Sequence, residues 1–379
     1  MHLDPLTKEG LMIDKKDVLG SFRQELVKPL AAYRPPPLAP LPISPWIAMS
    51  LLQKAIRRGE KARATGAAAT LLIDAPDKLW RRLAGIAAED VGLADICATG
   101  AVVGMMSGKR MRASLGGEWT TAAWLTQRLC VARTSRATDD LLMTVQLLPG
   151  LRGERERLAD LSNHHLRLIL LGTDSLHVRA LALLYLAGTA GKPVDHLASR
   201  RGEPALAFDV LDELGTPLTV LELAREGYRV SREPLWLLMG LLAAEPAGFG
   251  CETESYDDMP PETMTGPVPG WAVDSFTREG KLAISRFLHR ASPYTRWLQG
   301  HVERSQQRTV TARALFHAEG GLLRKRCRSD LNDDLRATNE RECLGLPSEL
   351  AGDALRLLRD DLPRLDAIRA EIMEGQSHA

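Results

Sequence analysis

The chain has 379 residues, 45% of them hydrophobic and 26% charged, the composition of an ordinary globular protein of roughly two or three domains. Its 49 Lys and Arg almost balance 48 Asp and Glu, so it is not a polycation that coats nucleic acid, and any site for anions must come from local clustering. Aromatics are only 5% while Ala and Leu abound, and period-two alternation is nearly absent. The expected fold class is therefore all-α, a helical bundle followed by further helical layers.

Residues 1–43 read as an N-terminal arm, with a short amphipathic helix around Val18–Val27. It is followed by a proline-rich linker from Pro29 to Pro45. Residues 44–150 turn helical. Ile47, Leu51, Leu52, Ala55 and Ile56 form one apolar stripe, and Lys54, Arg57, Arg58 and Lys61 fall on another face. Asp74 precedes Pro76 and Asp77, a pattern for a capped helix start through Leu79, Leu83 and Ile86. Residues 151–245 are Leu/Ala-rich with recurrent Gly and Pro breaks but no fixed-period repeat, which predicts successive short helices. Residues 246–270 read as a Pro/Gly-rich loop or linker, and 271–379 as an Arg-rich helical C-terminal domain. Its last helix spans about Ser348–Met373, with Pro363 expected to kink it.

No apolar run approaches the roughly 18–20 residues that span a bilayer. The N-terminus lacks the apolar segment of a signal peptide, so no membrane contact is expected. The five cysteines, at 97, 130, 251, 327 and 343, are scattered and form no CxxC. That argues against a disulfide framework or zinc knuckle, and for a reducing cytoplasm.

Motifs for catalysis are incomplete. The run from Gly104 to Arg110 has three residues between its glycines where a phosphate loop needs four, and Arg110 stands where a hydroxyl should hold magnesium. Leu71-Leu72-Ile73-Asp74 is similar to a strand ending in a magnesium-binding Asp, but Ala75 follows it and it precedes the loop. HExxH and GxSxG are absent, and His164, His165, His177 and His196 lack metal spacing. Neither a metal nor a cofactor is expected. Glu89, Asp90 and Asp95 form a carboxylate group suited to acid–base or metal chemistry. The same residues better suit capping or pairing with Arg81, Arg82 or backbone amides at a helix junction. Asp274, Arg278 and Lys281 share a face with Trp271 if that segment is helical, with an Asp274–Arg278 ion pair at i,i+4, and form a second candidate site.

Three segments carry a resemblance. They are Gln53-Lys54-Ala55-Ile56-Arg57-Arg58-Gly59-Glu60; the run from Arg81-Arg82-Leu83 to Glu89-Asp90-Val91-Gly92-Leu93-Ala94-Asp95; and Leu125 to Leu129 with Ala132-Arg133-Thr134-Ser135. Together they resemble the helical C-terminal region of the MgsA/RarA AAA+ ATPases, relatives of the Werner-helicase-interacting protein. The resemblance covers about residues 44–148. About 45 residues stand where the family carries its ATPase core. It implies a clamp-loader-collar-like assembly module, marked by Arg81, Arg82, Glu89, Asp90, Gly92 and Asp95, without a motor. It also implies a homo-oligomer and a setting in replication, recombination or repair, beside a separate AAA+ ATPase.

Local charge points the same way. Residues 44–150 hold 14 Lys and Arg against 9 Asp and Glu, and residues 271–328 hold 12 against 4. Lys54, Arg57, Arg58 and Lys61 form one candidate DNA-binding face. Arg286 with Arg290, Arg304 with Arg308, and Arg324, Lys325, Arg326 and Arg328 form the second, with Phe287, Tyr294, Trp297 and Phe316 interleaved for stacking. The function expected is a non-catalytic DNA replication, recombination or repair accessory protein that self-associates and contacts single-stranded or forked DNA. The alternatives are a protein-interaction scaffold docking on an ATPase or polymerase complex without DNA contact, and an enzyme with its site near Asp274–Lys281.

Overall fold

Helix formation follows local signals that the chain supplies repeatedly. Ser44 accepts a hydrogen bond from the Ile47 amide, Pro45 occupies the first helical position, and Gly59 closes the helix at φ 70°. In the computed structural model, residues 18–106, 108–190, 196–245 and 251–376 are described. Residues 1–17 of the arm, Ser107 of the phosphate-loop-like run and 246–250 of the linker lie outside them.

The helices are α1 (Val18–Ala32), α2 (Pro45–Arg58), α3 (Lys61–Asp74), α4 (Pro76–Ile86), α5 (Ile96–Met106), α6 (Lys109–Ser114), α7 (Glu118–Val131) and α8 (Ala137–Leu147). After these come α9 (Arg152–Ala159), α10 (Asn163–Leu171), α11 (Leu176–Ala187), α12 (Pro204–Glu213), α13 (Leu218–Ser231) and α14 (Leu235–Ala244). The C-terminal set is α15 (Arg278–Leu288), α16 (Pro293–His301), α17 (Gln307–Leu315), α18 (Asp330–Glu342) and α19 (Ser348–Gln376). Four strands of two or three residues, β1 (Thr253–Ser255), β2 (Met264–Thr265), β3 (Val268–Pro269) and β4 (Arg326–Arg328), make two antiparallel pairs, β1–β4 and β2–β3. The fold is all-α, as composition predicts. No described helix is long and apolar enough to cross a membrane.

One apolar core gathers buried side chains between Leu26 and Val273, joined by Leu335 of α18 and Met373 of α19, and includes the wholly apolar α14, whose Trp236 is fully buried. Residue 150 therefore divides no core: the helices before and after it pack as one body. A second core gathers Ala283, Phe287, Tyr294, Leu298 and the inward stripe of α19. The seam between the cores is polar. Arg57 donates to the Gly320 carbonyl at 2.6 Å, Arg58 to the Glu319 carbonyl at 2.7 Å, and Asn339 to Asp140 at 2.9 Å.

Three details depart from the sequence reading. Helix α1 continues through Pro29 to Ala32, because Leu26 and Leu30 are anchored in the core and the lost amide bond falls in its last turns. The proline-rich arm is strapped down: Trp119 donates to the Pro36 carbonyl, and the Leu41 amide donates to Thr70, both at 2.8 Å. Cys251 and Cys327, 76 residues apart, form a disulfide where β1 pairs with β4. The spacing argument against a disulfide is thereby overturned, and with it the cysteine argument for a reducing compartment.

Candidate functional site

The four basic residues that periodicity assigns to a DNA-facing surface of α2 do not form one. Lys54, Arg57 and Arg58 are buried, at 3%, 3% and 7% exposure, and only Lys61 is exposed. The stem of the explanation lies in distant partners. Arg57 donates to Asp90 at 2.9 Å and to Glu89 at 2.7 Å. Arg136 donates to the same Asp90 at 2.5 Å and also pairs with Asp139. Gln53 donates to the second Asp90 oxygen at 2.9 Å. Asp90 is completely buried, so a charge that would be costly alone is satisfied on both oxygens.

This network assembles the segments that carry the family resemblance. The first supplies Gln53 and Arg57, the second Glu89 and Asp90, and the third runs directly into Arg136. Its backbone also joins in, since the Ser135 amide donates to the Asp90 carbonyl at 3.0 Å. The π-type turn Ala87–Val91 turns both carboxylates inward, and Gly92 follows it at φ 50°. Asp95 accepts from the Ala98 amide at the start of α5 and pairs with Arg128 at 2.8 Å. The carboxylate group is thus a helix-junction ion-pair cluster, but its principal partners are Arg57 and Arg136. Arg81 is exposed and, among the described residues, bonds to its own helix at the Asp77 carbonyl. Burial alone would raise the Glu89 carboxyl, but Arg57, Arg136 and Arg82 together hold it down to about 2.

Asp274 is also placed differently from the sequence reading. Thr277 caps α15 by accepting from the Gly280 amide, so Asp274 lies before the helix and cannot form an i,i+4 pair with Arg278. It pairs instead with Lys54 of α2, and Arg278 is exposed. Gly280 permits this, since a Cβ there would stand 1.8 Å from the Asp274 carbonyl oxygen. Burial lowers the Lys54 ammonium to about 8, with Asp274 offsetting part of that cost.

These groups form one side of a cleft of about 790 Å³ along the seam between the two cores. Its lining includes Lys54, Arg57, Arg82, Arg136, Lys281, Arg308 and Arg313 against Glu89, Asp139 and Asp274, a surplus of four positive charges. All three carboxylates already have cationic partners, respectively Arg57, Arg136 and Lys54. Arg82, Lys281 and Arg308 form no ion pair among the described residues, and the Nε of Arg82 is buried without a hydrogen-bond partner. Trp46 and Phe276, 56% and 69% exposed, also line the cleft. The Lys78 ammonium sits 4.5 Å from the centroid of Trp46. The arrangement is suited to an anion that carries a flat ring.

The remaining predicted cations are dispersed. Arg286 is on α15, whereas Arg290 lies beyond its end and pairs with Glu371 at 2.7 Å. Arg304 occupies the turn before α17 and Arg308 lies within it, both exposed. Arg324 and Lys325 are exposed, and Arg328 pairs with Asp333 at 2.7 Å. Arg326 is buried against Asp257 at 2.7 Å, so the run Arg324–Arg328 is no continuous basic face. Of the interleaved aromatics, Phe287 and Tyr294 are core, and Phe316 is covered by the guanidiniums of Arg136 and Arg57 at 4.7 and 5.5 Å. Sequence reasoning missed Trp46 and Phe276 as accessible rings. Their signal was their place at helix starts, beside Pro45 and the Thr277 cap, where neither apolar stripe needs them. The phosphate-loop-like pieces are helical, with Gly104 in α5 and Leu71–Asp74 at the end of α3. Comparison of the chain with protein-family models, curated proteins and solved structures finds no match.

Proposed function

We propose that this protein is a nucleic-acid accessory factor without a motor of its own, which contacts DNA through the cationic cleft and the exposed arginines beside it. The observation that carries this reading is a pair of cations with no ion pair among the described residues, Lys281 and Arg308, gathered along one cleft with Arg82, whose nearest carboxylate influence is on Glu89. Exposed Arg304 lies next to it in the chain and Arg286 on the same helix as Lys281. Buried Lys54, Arg57, Arg58 and Arg326 are no part of the contact surface. A replication or repair setting, self-association and a separate AAA+ ATPase partner are proposals that rest on the resemblance of the sequence.

The test is fluorescence anisotropy of a labelled oligonucleotide with the purified chain across a salt series. Binding through the cleft predicts affinity that falls with salt, with a log–log slope of about −0.7 per phosphate neutralised on a single strand. Charge reversal at Lys281 and Arg308 should abolish it while leaving the melting temperature unchanged. Binding that ignores these reversals would remove the cleft from the reading. No binding at low salt would favour the scaffold alternative.

A second reading, an enzyme site on the same cleft, is supported by one observation: Lys54, with its ammonium lowered to about 8, stands beside Asp274 in the cleft lining. Lys54→Met that abolishes a cellular phenotype while sparing DNA binding and fold would favour it.

A further inference from the structure

We infer that the cleft takes a short single-stranded stretch of nucleic acid, with phosphates on Arg82 and Arg308 and a base stacked on Phe276, and that it excludes duplex. The inference rests on the nucleic-acid reading above and names the form of substrate. Its first support is size. A cavity of about 790 Å³ lies within the roughly 300–1,000 Å³ typical of small-ligand clefts. It lies along a seam that Arg57 and Arg58 tie to the Gly320 and Glu319 carbonyls, and a volume of this size suits a few nucleotides rather than a double helix.

The second support is the type of side chain at each level. The network of Arg57, Glu89 and Arg136 in the lining is already satisfied and offers little unspent charge. Arg82 lines the same cleft from α4 and forms no ion pair among the described residues, though its charge acts on Glu89, so its guanidinium can still take a phosphate. Arg308, exposed on α17, can reach a second phosphate from the opposite wall. Phe276 stands in the loop before α15, two-thirds exposed and without a ring partner among the described residues. A large apolar ring in that position loses its water contact when a base stacks on it, and any base will serve, because each has a flat face. In a duplex the bases are already stacked and paired, so Phe276 would have nothing to hold.

The experiment compares one labelled oligonucleotide, single-stranded and annealed to its complement, on the full chain and on Phe276→Ala, Arg82→Gln and Arg308→Gln, with a thermal melt of each variant. Phe276 and Arg308 are exposed, so their replacement keeps the test independent of folding. The expected result is single-strand binding at least about tenfold tighter than duplex binding. Phe276→Ala should weaken the single strand by about fivefold or more without changing the salt slope. Each Arg→Gln should lower the slope by about 0.7. A silent Phe276→Ala, or equal affinity for both forms, overturns the inference and leaves the nucleic-acid reading standing. Absence of binding by either form overturns both.

Discussion

Asp90→Ala removes the acceptor shared by Gln53, Arg57 and Arg136 from a position with no solvent exposure. Breaking a buried pair by deleting one partner costs about 3–5 kcal/mol, because the remaining charge is left without compensation. Here the remaining carboxylates soften the loss. Arg57 keeps Glu89 and the Gly320 carbonyl, and Arg136 keeps Glu89 and Asp139. Against that, Gln53 loses its acceptor, a further loss of about 1 kcal/mol for a buried donor. A net cost of about 3–4 kcal/mol follows. An unfolding entropy of about 2.1 cal/mol/K per residue converts this to a fall in Tm of roughly 4–5 °C if all 379 residues unfold as one unit. Scanning calorimetry reads it directly. Urea titration of Asp90→Ala, Arg136→Ala and the double variant then isolates the pair, with an expected coupling above about 1 kcal/mol. A Tm within about 1 °C of the parent, or strictly additive single effects, would refute the claim that the resemblance-bearing segments are held by this network.

Three further outcomes follow from other parts of the structure. His317 faces the guanidiniums of Arg136, Arg326 and Arg336, and burial together with these cations lowers its imidazole to about 3. As pH falls below 6.5 the unfolded chain takes up this proton and the folded chain does not, so stability is lost progressively down to about pH 3; the loss is about 2 kcal/mol between pH 7.5 and 5. Carboxylates also titrate in that range, so the measurement is the difference in pH slope between the parent and His317→Gln, and parallel slopes would contradict it. Reducing Cys251–Cys327, or replacing both by Ser, releases a 76-residue closure, which loop entropy values at up to about 4–5 kcal/mol. The urea midpoint should fall, and a midpoint indifferent to dithiothreitol would show that the bond does not form or does not constrain the chain. Gly280→Ala drives a Cβ into the Asp274 carbonyl and should cost about 1–3 kcal/mol through overpacking. It should also raise the reactivity of Lys54 toward acylating reagents by loosening its pair with Asp274, and unchanged labelling at Lys54 would contradict that link.

The sequence by itself determined what local physics governs. Leu and Ala content with few aromatics decided the helical class. Ser44-Pro45 marked the start of α2, because a cap is satisfied within a few residues, but the periodicity was carried past Gly59 to Lys61, which opens α3. Thr277 was a usable cap as well, yet the reading extended a helix back to Trp271 and so misplaced Asp274. Tertiary structure alone decided the use of the charges. Periodicity shows that Lys54, Arg57 and Arg58 share a side of a helix but not whether water or another layer meets it. Their partners Asp90, Glu319 and Asp274 lie 33 to 261 residues away. The same holds for Cys251 and Cys327, joined by strand pairing across 76 residues, and for Arg326, buried against Asp257 although Arg324, Lys325 and Arg328 around it are exposed. The cleft is the extreme case. Its cations come from α2, α4, the residue before α8, α15 and α17 and its rings from the start of α2 and the loop before α15, so it exists only once the two cores are apposed.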